Sequence, residues 1–167
     1  MIVTIWRHAE AGRAASDRER ELTDAGMDDV GFACRQFHDA CRARQIPQPD
    51  RILHSPWVRT NQTADIIAAA FTHATLAPTE VLQPGSDVKA VNNTLVEIGT
   101  GQDPQEHVLL VSHQPLVSYL LDHYLGESAV APSLPAGGLA TLALDTPARD
   151  CGRLLFWALP PEFKAAR

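Results

Sequence analysis

The chain has 167 residues, 45% of them apolar and 20% charged, with a formal net charge of −6 at pH 7. That length holds one domain with a full core and is short for two, and the acidic balance argues against a general nucleic-acid binder, whose footprint is a basic surface. No apolar run approaches the ~20 residues that span a bilayer, and the first residues lack a basic lead-in and a signal-peptide core, so a cytoplasmic protein without a membrane partner is expected.

Ile2-Val3-Thr4-Ile5-Trp6 is a short, β-branched apolar run that ends abruptly in Arg7-His8, which predicts a buried strand delivering two polar side chains to its carboxyl end. Residues 9 to 21 read as a polar loop. Thr23 has the character of an N-cap, with Asp24, Asp28 and Asp29 near the positive end of a helix whose apolar positions are Val30, Ala33, Phe37, Ala40 and Cys41. Pro47 and Pro49 end that pattern.

Arg51 to His54 reads as a second strand, and Ser55-Pro56 as the start of a helix with Trp57, Thr60, Ala64, Ile67 and Phe71 on one face and Arg59 in its first turn. A short strand is expected at Thr75 to Leu76 or at Glu80 to Leu82. After the turn at Pro84-Gly85-Ser86, Asp87 can cap a helix carrying Val88, Val91, Leu95 and Ile98, closed by Gly99 and Gly101 with Asp103-Pro104 continuing the loop.

His107 to Ser112 is a continuous apolar run of the parallel-sheet type. It leads into Ser112-His113-Gln114-Pro115, and Pro115 opens a helix with Val117, Leu120, Leu121 and Tyr124 facing inward. A loop from Gly126 to Gly138 precedes two last strands, Leu139 to Asp145 and Gly152 to Leu159, joined by a turn at Pro147 to Asp150. The domain is expected over residues 1–160, with 161–167 as a peripheral tail.

Strand-helix alternation of this kind implies a single three-layer α/β/α domain with a mostly parallel central sheet. In such sheets ligands bind outside the carboxyl ends of the strands. Arg7 with His8, Arg59, and His113 each lie at a strand-to-helix junction and so converge at one edge. The result is a cationic cluster with no fixed carboxylate partner. Adjacent arginines would repel a metal ion, so no metal or other cofactor is expected. No GxSxG elbow, GxxxxGK[ST] loop or Rossmann glycine signature occurs. Phosphate is the anion that planar guanidinium forks grip best.

Of the remaining polar residues, Arg13 and Arg18 read as solvated loop charges, and His54 as an end-of-strand histidine bonded to backbone. His38, His73, His107 and His123 are structural or exposed on this reading, and Trp6, Trp57 and Trp157 pack in the core or on the sheet. Cys34, Cys41 and Cys151 form no CxxC pair, and Cys34 and Cys41 fit one buried helix face rather than a disulfide framework.

Arg7-His8-Ala9-Glu10-Ala11, Arg20-Glu21-Leu22-Thr23, Ser55-Pro56-Trp57-Val58-Arg59-Thr60-Asn61-Gln62-Thr63 and Val111-Ser112-His113-Gln114-Pro115-Leu116-Val117 together resemble, in order and spacing, the histidine phosphatase (phosphoglycerate-mutase-like) superfamily, and within it the SixA-type phosphohistidine phosphatases. The resemblance implies that His8 is the nucleophile that becomes phosphorylated, that Arg7 and Arg59 hold the phosphoryl oxygens, that His113 is the second histidine contacting them, and that Arg20 is a further phosphate contact. Ala9 departs from the family's usual glycine, a change that costs little unless the backbone there needs positive φ.

The implied activity is hydrolysis of phosphohistidine on a protein, such as a phosphotransfer domain, through a covalent phosphohistidine intermediate. Larger family members carry a carboxylic acid after the third strand, where this chain offers Glu80 and Asp87 as candidates, though Asp87 is as easily a helix cap and Glu80 a surface residue. An imidazole leaving group can already carry a proton and needs such an acid less than an alkoxide does, which favours an N–P substrate. The competing readings are a phosphatase for a small phosphorylated metabolite and a phosphate- or phosphohistidine-binding module without turnover.

Overall fold

The computed structural model describes residues 1–100, 107–126 and 131–166. In chain order these form β1 (Ile2–Arg7), α1 (Asp24–Ala43), β2 (Arg51–His54), α2 (Val58–Ala70), β3 (Thr75–Pro78), α3 (Val88–Thr100), β4 (His107–Ser112), α4 (Leu116–Leu125), β5 (Leu139–Leu144) and β6 (Gly152–Ala158), with single 3₁₀ turns at Asp17–Glu19 and Glu80–Leu82. One six-stranded sheet runs in the order β3-β2-β4-β1-β5-β6. β3, β2, β4 and β1 are mutually parallel, and β5 is antiparallel to both of its neighbours. The expected mostly parallel sheet is therefore present.

Successive side chains of β4 enter opposite cores as the pleat requires. Leu109 and Val111 join Val30, Phe37 and Ile67 of α1 and α2 in one core, while Val108 and Leu110 join Leu95 of α3 and Leu120 of α4 in the other. With helices on both faces, every residue of β4 is buried, which is why the strand reads as an unbroken apolar run rather than an alternating one. α1 presents Val30, Ala33, Cys34, Phe37, Ala40 and Cys41 inward, and Thr23 caps it by accepting the Gly26 N–H at 3.0 Å.

A buried polar chain crosses the middle of the sheet. His107 Nδ1–H donates to the Pro47 carbonyl at 2.7 Å, which leaves Nε2 to accept the Thr4 hydroxyl at 2.8 Å. The Thr4 oxygen in turn accepts from Thr141 at 2.9 Å. These bonds tie β4, β1 and β5 together and satisfy the side chains of Thr4, His107 and Thr141, which are fully buried.

Several boundaries differ from the sequence expectation for definite reasons. The Ser55 N–H still pairs with the Val111 carbonyl at 3.1 Å, so Pro56 and Trp57 are needed to turn the chain out of the sheet. The second helix accordingly begins at Val58, and Pro115 is likewise the N-cap of α4 rather than its first residue. Of the two candidates for the third strand, the one at Thr75 is formed and runs to Pro78, whereas Glu80–Leu82 is a 3₁₀ turn. α3 continues through Gly99 to Thr100. Gly101 and Asp103-Pro104 lie outside the described residues. The tail is not wholly peripheral: Phe163 is buried against Phe32, with ring centroids 6.2 Å apart.

Candidate active site

β2, β4 and β1 are adjacent strands, and their carboxyl ends are level because β1 pairs Arg7 with Ser112 and β2 pairs His54 with Val111. The His8 N–H extends the ladder to the Ser112 carbonyl at 3.0 Å, as Ser55 does to Val111. Side chains emitted just past these ends must meet. His8 and His113 do so edge to face, with centroids 5.1 Å apart.

The His8 ring is fixed in one tautomer. Nδ1–H donates to the Ala9 carbonyl at 2.7 Å, so Nε2 carries the lone pair, and it accepts the Nε–H of Arg59 at 3.1 Å. Burial, set against the hydrogen bond to Ala9 and reinforced by the charges of Arg59, Arg7 and Arg20, lowers the His8 pKa to about 4. The ring is thus neutral and nucleophilic at neutral pH. Ala9 is absent from the described residues with positive φ, so its methyl group strains nothing.

His113 shares a hydrogen bond of 2.8 Å between Nε2 and the hydroxyl of Ser55, which also accepts the Trp57 N–H at 3.4 Å. Burial, followed by His8 and Arg59, takes its pKa down to about 3. Its Nδ1 is buried without a hydrogen-bond partner among the described residues. The guanidinium of Arg59 lies over the Trp57 ring at 4.8 Å, and that ring meets His113 edge-on at 5.3 Å. Trp57 is therefore a wall of the site rather than sheet packing alone.

Arg7 donates from Nη1 to the Leu134 carbonyl at 3.0 Å, a carbonyl shared with the Gln114 amide at 3.2 Å. Burial and the nearby Arg59 charge lower the Arg7 pKa from its ordinary value. The backbone after Leu134 closes this side, since Gly137 N–H reaches the His8 carbonyl and Arg7 N–H the Gly138 carbonyl, each at 3.0 Å.

The expectation of a cluster without a fixed carboxylate is corrected. Asp17 bonds Arg59 through Oδ2 at 3.2 Å and Arg20 through Oδ1 at 3.0 Å. These arginines, Arg20 first, hold its carboxyl below the usual carboxylate range. Arg20 itself is strapped to the loop, with Nε on the Gly12 carbonyl at 2.7 Å and Nη2 on the Ala11 carbonyl at 3.0 Å. Arg13 and Arg18 are exposed, as expected. His54 is buried with Nδ1 on the Ser55 carbonyl at 2.9 Å, again as expected.

The two candidate acids are not drawn into the cluster. The Asp87 carboxylate caps α3 through the Ala90 N–H at 2.8 Å, and Glu80 is exposed on its 3₁₀ turn. Sequence reasoning missed Asp17, Ser55, Trp57 and Thr63, whose hydroxyl donates to the Arg59 carbonyl at 2.7 Å and accepts the Ala9 N–H at 3.4 Å. The signal for Ser55 and Thr63 was their position, one at a strand end and one a helical turn beyond Arg59. Asp17 offered only its spacing of three from Arg20.

No protein-family model matches the chain. It is 30% identical over 147 residues to the phosphohistidine phosphatase SixA of Escherichia coli (strain K12), which covers 87% of this chain and 86% of that protein. A solved structure of the protein histidine phosphatase SixA complexed with tungstate superposes with a TM-score of 0.76 at 27% identity, over 96% of this chain and 97% of that one. A SixA from Agrobacterium tumefaciens gives a TM-score of 0.75 at 27% identity, over 95% and 98%.

Proposed function

This chain belongs to the SixA phosphohistidine phosphatases, with their phosphoglycerate-mutase-like fold, and we propose that it hydrolyses phosphohistidine on a protein such as a phosphotransfer domain of the cytoplasm. The observation that carries the reading is the tautomer of His8, whose Nδ1–H is committed to Ala9 and whose Nε2 lone pair faces Arg59. That is the form of imidazole that attacks phosphorus.

In the proposed reaction the His8 Nε2 lone pair attacks the phosphoryl group in line. The P–N bond to the substrate imidazole breaks, and the leaving ring keeps the electron pair at that nitrogen while its other nitrogen carries a proton already present or taken from solvent. Arg59 and Arg7 balance charge on the phosphoryl oxygens, with His113 and Arg20 as further contacts to them. Water then cleaves the phospho-His8 bond and releases inorganic phosphate. No residue of the chain has to supply a strong acid in the first step, which fits an amine leaving group better than an alkoxide.

Incubation with a phosphohistidine-bearing protein and, in parallel, with small phosphate esters, each with and without a chelator, tests the reading. Faster phosphate release from the phosphohistidine, insensitive to chelator, is expected. The native chain should also yield an acid-labile phosphoenzyme that His8→Ala does not form. Equal or faster ester turnover would overturn the N–P preference, and a phosphoenzyme surviving in His8→Ala would move the nucleophile elsewhere.

A further inference from the structure

Each of the three guanidinium nitrogens of Arg59 donates a hydrogen bond within the chain itself. Its Nε–H is on His8 Nε2, its Nη1 on the main-chain oxygen of Asp17 at 2.5 Å, and its Nη2 on the Asp17 carboxylate at 3.2 Å. The Nη1/Nη2 edge is the fork through which a guanidinium makes a two-pronged contact with phosphate. In this chain that fork is filled by one residue, which supplies a carbonyl and a carboxylate oxygen where two phosphoryl oxygens would sit.

The two partners differ sharply in environment. The Arg59 side chain is 5% exposed and the Asp17 side chain 58%. Asp17 rides on a 3₁₀ turn, Asp17–Glu19, that contributes no buried residue, so it can withdraw from Arg59 without opening either core. Arg20 restrains it from the other side through Oδ1 and anchors to the Gly12 and Ala11 carbonyls.

We propose that Asp17 is an internal counter-ion that occupies the phosphate fork of Arg59 in the free protein, and that an incoming phosphoryl group must displace it. Asp17 is then a positioning residue that sets the affinity for phosphate-bearing groups and favours release of the inorganic phosphate product. The swap also frees the nucleophile, because Arg59 leaves His8 Nε2 when its donors turn to the phosphoryl oxygens. This inference rests on the assignment of Arg59 as a phosphate contact.

Inorganic phosphate binding, followed by titration calorimetry on the whole chain, tests it with Asp17→Asn and Asp17→Glu. Removing one charge at this range should tighten phosphate roughly three- to tenfold in Asp17→Asn. KM for a phosphohistidine protein should fall by a similar factor without a rise in kcat, and Asp17→Glu should return both to native values. A purely structural Asp17 gives the opposite result, since loosening Arg59 weakens phosphate binding and raises KM. Unchanged or weaker binding in Asp17→Asn, beside native binding, overturns the counter-ion alone. Failure of the native chain to bind phosphate overturns the phosphatase reading with it.

Discussion

The Nε–H of Arg59 donates to Nε2 of His8 at 3.1 Å, so the cation and the proposed nucleophile are joined at the atom proposed to attack phosphorus. Only a planar guanidinium offers a two-pronged edge to an oxygen pair, which Asp17 supplies in the free protein and the phosphoryl group would supply in its place. Arg59→Lys keeps the charge and loses that geometry. It is expected to lower kcat by roughly 10³, as loss of an arginine contact does in other phosphoryl transfers. Single-turnover formation of the phosphoenzyme is the measurement, and near-native rates in the lysine variant would show that charge alone suffices.

The His8 pKa of about 4 gives a pH expectation. Protonated imidazole has no lone pair at Nε2, so kcat/KM should stay level as pH falls through the ordinary histidine value near 6.5. It should drop only toward pH 4. The rate on a phosphohistidine protein, corrected for its spontaneous hydrolysis, together with the His8 ring resonance followed by NMR, checks this. An acid limb near 6.5 that tracks the His8 resonance would refute the buried, cation-flanked environment.

How much of this was legible in the sequence depended on the range of the forces involved. β4 and the apolar face of α1 were readable because burial on a sheet or helix imposes a local period on the residue types. Arg7, His8, Arg59 and His113 were readable as a group because each follows a strand, and parallel strands bring such positions to one edge. The start of α2 was misjudged because the Ser55 N–H is held by Val111 on another strand, a long-range bond that overrides the local preference of proline. Asp17 was invisible for a similar reason. Its partner Arg59 is 42 residues away, and an aperiodic loop carries no pattern that says where its carboxylate will land.

Gly26 lies in the first turn of α1, where a Cβ would run into the Glu10 carbonyl. That carbonyl accepts the Thr23 N–H at 3.0 Å and belongs to the loop that leaves His8. Gly26→Ala improves helix propensity by about 1 kcal/mol, against an overpacking cost of about 1–3 kcal/mol. A net destabilisation of about 1 kcal/mol is expected in denaturant unfolding, with a drop in kcat because the displaced loop carries Ala9, which holds the His8 tautomer. A stabilised, fully active variant would show that the loop yields freely.

His107 couples the sheet interior to pH. Burial lowers its pKa to about 4, whereas the unfolded chain takes up this proton near 6.5. The unfolded state therefore binds the proton first as pH falls, and stability present above 6.5 is lost progressively toward pH 4, by about 3 kcal/mol in all for this group. His8 and His113, shifted in the same direction, add to the loss. Denaturant unfolding at pH 7 and pH 4.5 should show the decline, and a variant lacking the His107 imidazole should show a shallower slope. A slope unchanged by that substitution would mean that water reaches the His107–Thr4–Thr141 chain.

Asp87 and Glu80, neither of which is drawn into the cluster, separate structure from chemistry. The Asp87 carboxylate accepts the Ala90 N–H at 2.8 Å and is exposed, so Asp87→Ala should cost about 1 kcal/mol of stability, the usual penalty for a lost helix cap. Turnover of phosphohistidine should change little, because the departing imidazole does not wait for a proton from the protein. Glu80→Gln, on an exposed turn, should change neither stability nor rate appreciably. A loss of roughly 10² or more in kcat from either substitution would identify that carboxyl as a leaving-group acid. The contrast sharpens with a phosphate ester, whose alkoxide needs a proton: if one of the two is the acid, its removal should slow the ester far more than the phosphoramidate, and if neither is, both substrates should be equally indifferent.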